Sequence, residues 1–316
     1  MKRIIGFIVR TGLLTVVYLV LFSAAYSIAL SLSGAAVPAT GAGAGGESET
    51  AWGGGAIMLL LAGLLNAAAL AVMIVRSRWH GHQLALTVAL VLYGVLTFMT
   101  QVEAAVFPAV ASRLGEGMLR ALFLAGSLLA IPFAPLAVLV MGKWRAEARS
   151  NGANHRLEML WSEWLWKLAL LAVIYVGLYF TFGYFVAWRN PVISSYYGGT
   201  DPGSFIAQLV MVAQTTPWMY AFQFARGIVW VLIALPIVRM TKGGPLETGA
   251  IVGLQFAVLM NSSLLLPNPA MPEAVRMVHL VETAPSNFIM GVLTALVLSW
   301  RENPMPTFSR PAPILR

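Results

Sequence analysis

Eight long apolar runs constrain this chain more than any other feature of its sequence. A helix that crosses the hydrocarbon core of a bilayer needs about 20 residues of this kind. The runs cover residues 7–32, 55–75, 84–108, 118–141, 166–188, 218–240, 248–266 and 277–300. The sequence therefore predicts an all-α integral membrane protein with eight transmembrane helices.

The composition agrees with this fold class. Of the 316 residues, 59 % are hydrophobic and only 10 % are charged, whereas a soluble domain is about a quarter charged. The chain has no cysteine, which excludes disulfides, cysteine–zinc sites and thiol nucleophiles. The net charge of +8 is interpreted as loop bias, because no basic patch is interleaved with aromatic residues. Membrane lipid is the expected surrounding, and nucleic acid is not an expected partner.

Basic residues are concentrated in alternate loops. Most of them lie near the two chain ends and after the second, fourth and sixth runs, and few lie between the other runs. The positive-inside rule therefore places both termini in the cytoplasm, and an even number of helices agrees. The first run is read as a retained helix, since it is too long for a signal peptide and Arg10 interrupts it. In a bacterium the location would be the inner membrane.

Short motifs recur at a distance of roughly 160 residues. Ile-Val-Arg stands at 74–76 and 237–239, and Pro-Ala stands at 108–109 and 269–270. Such recurrence in chain order is typical of a duplicated unit. The predicted four-helix units cover residues 1–150 and 151–301. Four helices per unit keep both units in the same orientation, with a symmetry axis along the membrane normal.

Three segments outside the apolar runs have distinctive compositions. Residues 34–54 are rich in Gly and Ala and are predicted to be disordered. The segment 152–166 mixes charge with three tryptophans, which indicates an interfacial helix or an aromatic belt. The tail 302–316 holds four prolines and is predicted to be a flexible cytoplasmic end.

The external segment 190–217 is predicted to contain a short amphipathic helix over residues 204–214. Asp201 and Ser204 are the candidate N-cap residues. Two interpretations remain open for this helix. It is either a surface helix of the loop, or a lid or re-entrant segment over a cavity.

The rare polar residues of the runs fall at one depth, in the outer halves of helices three, six, seven and eight. This common level predicts one polar pocket that opens outward. Its candidate substrate- or ion-binding residues are Glu103, Gln223, Arg226, Asn261, His279, Glu282, Ser286 and Asn287. The competing interpretation is that buried charges only fix helix register. For Asn66 and Ser262, simple bonding between helices is favoured.

Charge balance gives the pocket its chemistry. Arg226 is expected to pair with Glu103 or Glu282, because a lone guanidinium at membrane depth is costly. One negative charge is then left over. A protonated carboxyl group, a cationic His279 or a bound cation would each resolve it. Pro285 lies within the eighth run and would either open the helix or kink it.

Several kinds of chemistry have no motif in this chain. It contains no HExxH, no G-x-S-x-G, no Walker A loop and no paired intramembrane histidines, so no catalytic residue, metal or cofactor is predicted. A metal site formed by His279, Glu282 and Glu103 is a less favoured alternative.

The leading functional prediction is a small-solute or ion transporter, proton-linked through Glu282 or Glu103. A membrane enzyme acting on a lipid-linked substrate at the outer leaflet is the second class, with Glu282 and His279 as acid and base. A non-catalytic membrane subunit is the third.

Overall fold

The computed structural model describes residues 2–35, 48–145, 156–199, 201–267 and 271–300. Within these ranges, eight helices are long and apolar enough to cross a membrane. They are, as spans 1 to 8 in chain order, Lys2–Ser33, Gly55–Val75, Gly81–Val106, Met118–Val140, Trp161–Trp188, Trp218–Met240, Pro245–Leu265 and Glu273–Ser299. The predicted all-helical fold and its eight apolar helices are confirmed, they fit a multi-pass membrane protein, and the predicted helix ends agree to within five residues.

Some sequence predictions fall on other parts of the chain. Residues 36–47 of the loop predicted to be disordered lie outside the described residues, as does the predicted tail 302–316. For residues 48–54 the prediction of disorder is wrong, because the helix that contains span 2 begins at Ser48. Of the segment 152–166, residues 152–155 also lie outside. Its last residues belong to span 5, which begins at Trp161 with that side chain 83 % exposed. The aromatic-belt interpretation therefore fits this segment better than a separate interfacial helix.

Three short helices lie at the end where spans 3 and 5 finish. They are Pro108–Leu114, Pro191–Tyr197 and Phe205–Thr215. The last of them confirms the short helix predicted over 204–214. Its N-cap is Ser204, whose hydroxyl accepts a hydrogen bond from the backbone N–H of Ala207 at 3.1 Å. Phe205 stacks against Phe185 of span 5, which fixes this helix to the bundle.

Two spans contain π-helical stretches that the sequence did not predict. One is Leu92–Met99 in span 3, and the other is Gly183–Trp188 at the end of span 5. A π-helix has more residues per turn than an α-helix, so it rotates the residues that follow around the helix axis. The π-helical stretch of span 3 therefore sets the direction in which Glu103, four residues later, leaves the helix.

The helices pack in the same pattern in each half of the chain. Span 1 lies against spans 2 and 4, and span 3 lies against span 4. Likewise, span 5 lies against spans 6 and 8, and span 7 lies against span 8. Between the halves, span 2 packs against span 7, and span 3 packs against spans 6 and 7. The contact surface between the two halves is thus built from their second and third helices.

Spans 7 and 8 make a very close crossing at a pair of glycines. A Cβ atom on Gly291 would lie only 2.5 Å from the Cα atom of Gly253. Small residues at such crossings let the backbones of membrane helices approach and gain van der Waals contact. This crossing holds the carboxyl-terminal half of span 8 against span 7, and so fixes the helix that carries His279 and Glu282.

The described parts of the loops after spans 2, 4 and 6 meet at one end of the bundle, here called the basic end (residues 76–80, 141–145, 156–160 and 241–244). The Arg78 N–H donates to the carbonyl of Met240 at 2.6 Å, and the Lys242 N–H donates to the carbonyl of Arg76 at 2.9 Å. These two bonds flank the isolated antiparallel bridge between Ser77 and Thr241.

Both ends of the described chain also lie at the basic end. The Arg10 guanidinium donates to the carbonyl of Met141 at 3.0 Å. The Lys167 ammonium donates to the carbonyl of Trp300, just after span 8. Arg156 donates to the carbonyls of Val238 and Thr241, and its burial lowers its pKa. The loops that the sequence singled out as basic therefore share one face of the protein.

Candidate functional site

A cavity of about 1010 Å³ lies in the half of the bundle opposite the basic end. Arg113 and Thr215, both exposed, belong to its lining, so it opens at that end. Its deepest lining residues sit near the midpoints of their spans: Leu96, Leu129, Tyr175 and Asn287. The cavity thus extends from one end of the bundle to about the middle of the membrane helices.

Arg226 of span 6 is the most deeply buried charge at the cavity, with a side chain only 4 % exposed. Its Nη2 atom lies 2.7 Å from Oε2 of Glu103 and donates to the carbonyl of Met99 at 3.3 Å. Its Nη1 atom donates to Oε1 of Gln223 at 2.9 Å. Of the two carboxylates expected as partners, Glu103 is the one in contact. The pair joins spans 3 and 6, one from each half of the chain.

His279 and Glu282 form a second pair on span 8. The His279 Nδ1 atom lies 2.7 Å from Oε2 of Glu282, three residues further along the helix. The other ring nitrogen, Nε2, lies 3.1 Å from the hydroxyl of Tyr197. Burial raises the pKa of Tyr197, so its phenol is neutral at pH 7. The imidazole is therefore held between a carboxylate and a neutral hydroxyl, an arrangement that fixes the ring in place.

The two pairs belong to one electrostatic cluster. His279 interacts with the charge of Glu103 as well as with that of Glu282. Tyr179 of span 5 interacts with both carboxylates and with Arg226. Tyr179 also lines the cavity, as do both pairs. The structure thus brings the four ionisable residues predicted for the site to a single chamber.

The remaining predicted site residues have smaller roles in the geometry. Asn261 accepts a hydrogen bond from the Thr283 hydroxyl, and Asn287 lies 3.2 Å from the sulfur of Met260. The Ser286 hydroxyl bonds to the carbonyl of Thr283 at 3.1 Å within span 8. These three line the cavity, whereas Gln223 is fully buried behind it and reaches it only through Arg226.

Two polar residues that the sequence favoured as structural are placed away from the cavity lining. Asn66 of span 2 donates to the hydroxyl of Tyr18 in span 1 at 2.9 Å. The Ser262 hydroxyl bonds to the carbonyl of Leu259 within its own span. Pro285 does not end span 8, which runs as one helix from Glu273 to Ser299.

Two arginines in the lining were not predicted from the sequence. Arg276 precedes the eighth apolar run, but it lies within span 8 and is only 6 % exposed. Its Nη1 atom donates to the carbonyls of Leu264 and Leu266 at 2.8 and 2.5 Å. Arg113 donates to the carbonyl of Tyr196 at 3.1 Å. The spacing of Arg276, three residues before His279, was a signal that would have placed it on the same helical face.

Three tyrosines of the cluster were missed as well: Tyr175 and Tyr179 of span 5, and Tyr197 of the short helix Pro191–Tyr197. Apolar wall residues surround them. In the described part of the chain, no three acidic or histidine side chains are grouped as metal ligands, so the alternative of a metal on His279, Glu282 and Glu103 is not supported.

The arrangement has clear chemical capacities. It holds a cation that cannot lose its proton beside a carboxylate, and a second carboxylate beside an imidazole. Both carboxylates face a chamber large enough for an organic molecule. The site can therefore bind a solute and can take up or release protons. Comparison with protein family models, with curated proteins and with solved structures finds no match for this chain.

Proposed function

We propose that this protein is a membrane transporter whose solute binds in the cavity. The observation that carries the proposal is the depth of the cavity, which opens at one end and stops near the middle of the spans. Transporters typically bind their solute near the bilayer midplane and reach it from one side at a time.

The packing beyond the cavity supports the same function. Tyr175 lines the floor, and its ring centroid lies 6.5 Å from that of Trp230. Trp230 and Phe256 are fully buried, with their centroids 4.3 Å apart. These large side chains close the path toward the basic end. A transporter needs such a barrier on one side while the other side is open.

The proposal includes a proton-linked cycle. Glu103 and Glu282 have side chains that are 29 % and 11 % exposed, so both can exchange protons with water in the cavity. Glu103 is paired with Arg226, and Glu282 is paired with His279. A solute that separates either pair changes the affinity of the carboxylate for a proton, and this linkage is the basis of coupled transport.

We also propose that the basic end is cytoplasmic, with both termini there, in a bacterial inner membrane. The gathering of the basic loops at one end supports this orientation. A tandem duplication is part of the same proposal. The two halves share one packing pattern, and a shift of 164 residues interchanges the bond from Arg78 to Met240 with the bond from Lys242 to Arg76. An internal two-fold axis between the halves would produce this exchange.

Cysteine labelling in vesicles tests the transport cycle, since the chain has no native cysteine. Ala234 is fully buried one turn beyond Trp230, toward the basic end. In a transporter, water reaches Ala234 whenever the cavity opens at the basic end. We expect Ala234→Cys to react with a membrane-impermeant maleimide added at the basic end, and Ser286→Cys, in the cavity, to react from the opposite side.

Leu232→Cys is the matched control, because Leu232 lies on the same helix and is 49 % exposed on the apolar surface. It should stay unlabelled from both sides. An enzyme with a fixed site at the outer leaflet, or a non-catalytic subunit, would leave Ala234→Cys as unreactive as Leu232→Cys. That result would remove the transport proposal and leave the cavity as a static site.

A further inference from the structure

We infer that the solute is an amphipathic organic anion, whose acidic head displaces Glu103 from Arg226 while Glu103 takes up a proton. This inference rests on the proposed function and names its substrate class and its coupling. Three observations support it: the cavity has one apolar and one polar wall, its lining has a net positive charge, and Glu103 is more exposed than Arg226.

The cavity has an apolar wall and a polar wall. Spans 1, 2 and 4 contribute no charged residue to the lining. Most of their lining residues are apolar, among them Phe22, Leu59, Met118, Leu122 and Leu129. The charged groups come instead from spans 3, 6 and 8 and from the short helix Pro108–Leu114. A chamber of about 1010 Å³ lies at the upper end of the range for organic ligands, about 300–1,000 Å³, so a bare ion would leave most of it unfilled.

The charges of the lining favour an anion. Arg113, Arg226 and Arg276 line the cavity against two carboxylates, Glu103 and Glu282. The arginines remain charged in proteins, so the lining has an excess of one positive charge before any proton on His279 is counted. The sequence alone suggested an excess of negative charge, because it counted only Arg226. One acidic head group neutralises the lining of the structure.

Of the Arg226–Glu103 pair, mainly the glutamate is accessible from the cavity. The arginine side chain is 4 % exposed and the glutamate side chain is 29 % exposed. A buried guanidinium needs a negative partner, because removing that partner leaves an uncompensated charge in an apolar environment. The carboxylate can be protonated from the cavity, but the arginine cannot be deprotonated. Protonation of Glu103 therefore leaves the charge of Arg226 uncompensated, and the acidic head group of the solute can compensate it.

The surroundings of Glu103 suit this exchange. The charged and titratable groups that face it are Arg226 on span 6, Tyr175 and Tyr179 on span 5, Tyr197 on the short helix, and His279 and Glu282 on span 8. The hydroxyls of Tyr175 and Tyr179 can donate hydrogen bonds to an acidic head group.

Calorimetric titration of the purified full-length protein tests the inference with naphthalene-2-sulfonate. This probe has an apolar body and a permanently charged head, so any proton taken up comes to the protein. We expect it to bind at least about tenfold more tightly than methanesulfonate, which lacks the body, and than 2-naphthyltrimethylammonium, which has the opposite charge. Repeating the titration in buffers of different ionisation enthalpy should show uptake of one proton per anion at neutral pH.

Variants assign the exchange to its residues. Glu103→Gln should bind the sulfonate without the uptake of one proton per anion that the parent protein shows at neutral pH. Arg226→Gln should lose sulfonate binding by about tenfold or more. If that variant does not fold, the double variant Glu103→Gln with Arg226→Gln, which has no buried charge at this pair, serves the same purpose. Arg120→Gln is the control, because Arg120 is exposed and does not line the cavity.

The opposite results would overturn the inference. Tighter binding of the ammonium probe, binding of neither probe, or proton uptake that persists in Glu103→Gln would each do so. Uptake that is lost only in Glu282→Gln would assign the proton to the other pair and would also contradict it. The labelling of Ala234→Cys is independent of these probes. Labelling of Ala234→Cys without sulfonate binding would support transport and contradict an anionic solute. Sulfonate binding without labelling would support the anion site and contradict transport.

Discussion

Replacing Gly291 with alanine is expected to prevent the stable packing of spans 7 and 8. The added methyl group would lie 2.5 Å from both the Cα and the N atom of Gly253. These are backbone atoms of a membrane helix and cannot move aside as a flexible side chain can. Overpacking at ordinary core sites costs about 1–3 kcal/mol, and we expect at least about 3 kcal/mol here. The measurement is the melting temperature and the yield of monodisperse protein in detergent.

Gly177→Ala is the matched control for that substitution. Gly177 also lies within a membrane span, but an added Cβ would meet nothing within 4 Å. Alanine is favoured over glycine in a helix by about 0.5–1 kcal/mol, so this variant should be as stable as the parent or more so. Equal melting temperatures for Gly291→Ala and Gly177→Ala would show that the close crossing of spans 7 and 8 does not exist.

Glu103→Gln is expected to be the second most damaging change, with a loss of about 3 kcal/mol. It leaves the guanidinium of Arg226 buried beside a neutral amide. Arg226→Gln should cost less, although it removes the same ion pair. The carboxylate it leaves behind is 29 % exposed, so it can be hydrated or protonated. Thermal melting of the two single variants measures this difference directly.

The double variant Glu103→Gln with Arg226→Gln provides the test of coupling. If the two side chains form a pair, the double variant should melt at a higher temperature than Glu103→Gln alone, since no unpaired buried charge remains. Additive losses would mean that the two residues act independently. Naphthalene-2-sulfonate should raise the melting temperature of Glu103→Gln, because ligand that binds only the folded state stabilises it.

The hydropathy of the chain was sufficient to predict its spans, and the depth of its polar residues was sufficient to bring Glu103, Arg226, His279 and Glu282 together. Both inferences depend on the cost of polar groups in lipid, which acts on every residue of a run. Neither inference predicts whether Arg226 pairs with Glu103 or with Glu282. That choice depends on the π-helical stretch of span 3, which departs from the helical period that sequence reasoning assumes.

Residues between the spans were harder to place. Tyr197 reaches His279 from a short helix in a loop, and its position depends on how residues 189–199 fold back over the bundle. Arg113 shows the same difficulty, since it follows a bend after span 3. Neither carries a periodic signal. Arg276 differs, because an earlier start of span 8 would have included it, and helix ends are the least certain part of such predictions.

The bridge between the two loops at the basic end has a consequence for the resting state. Its flanking bonds, from Arg78 to Met240 and from Lys242 to Arg76, tie the halves together beside side chains of Ser77 and Thr241 that are almost fully buried. Two such bonds contribute about 2 kcal/mol in total, which is roughly a thirtyfold preference. In the transport cycle proposed above, these bonds would favour the conformation whose cavity opens away from the basic end, so that solute would first enter from that side.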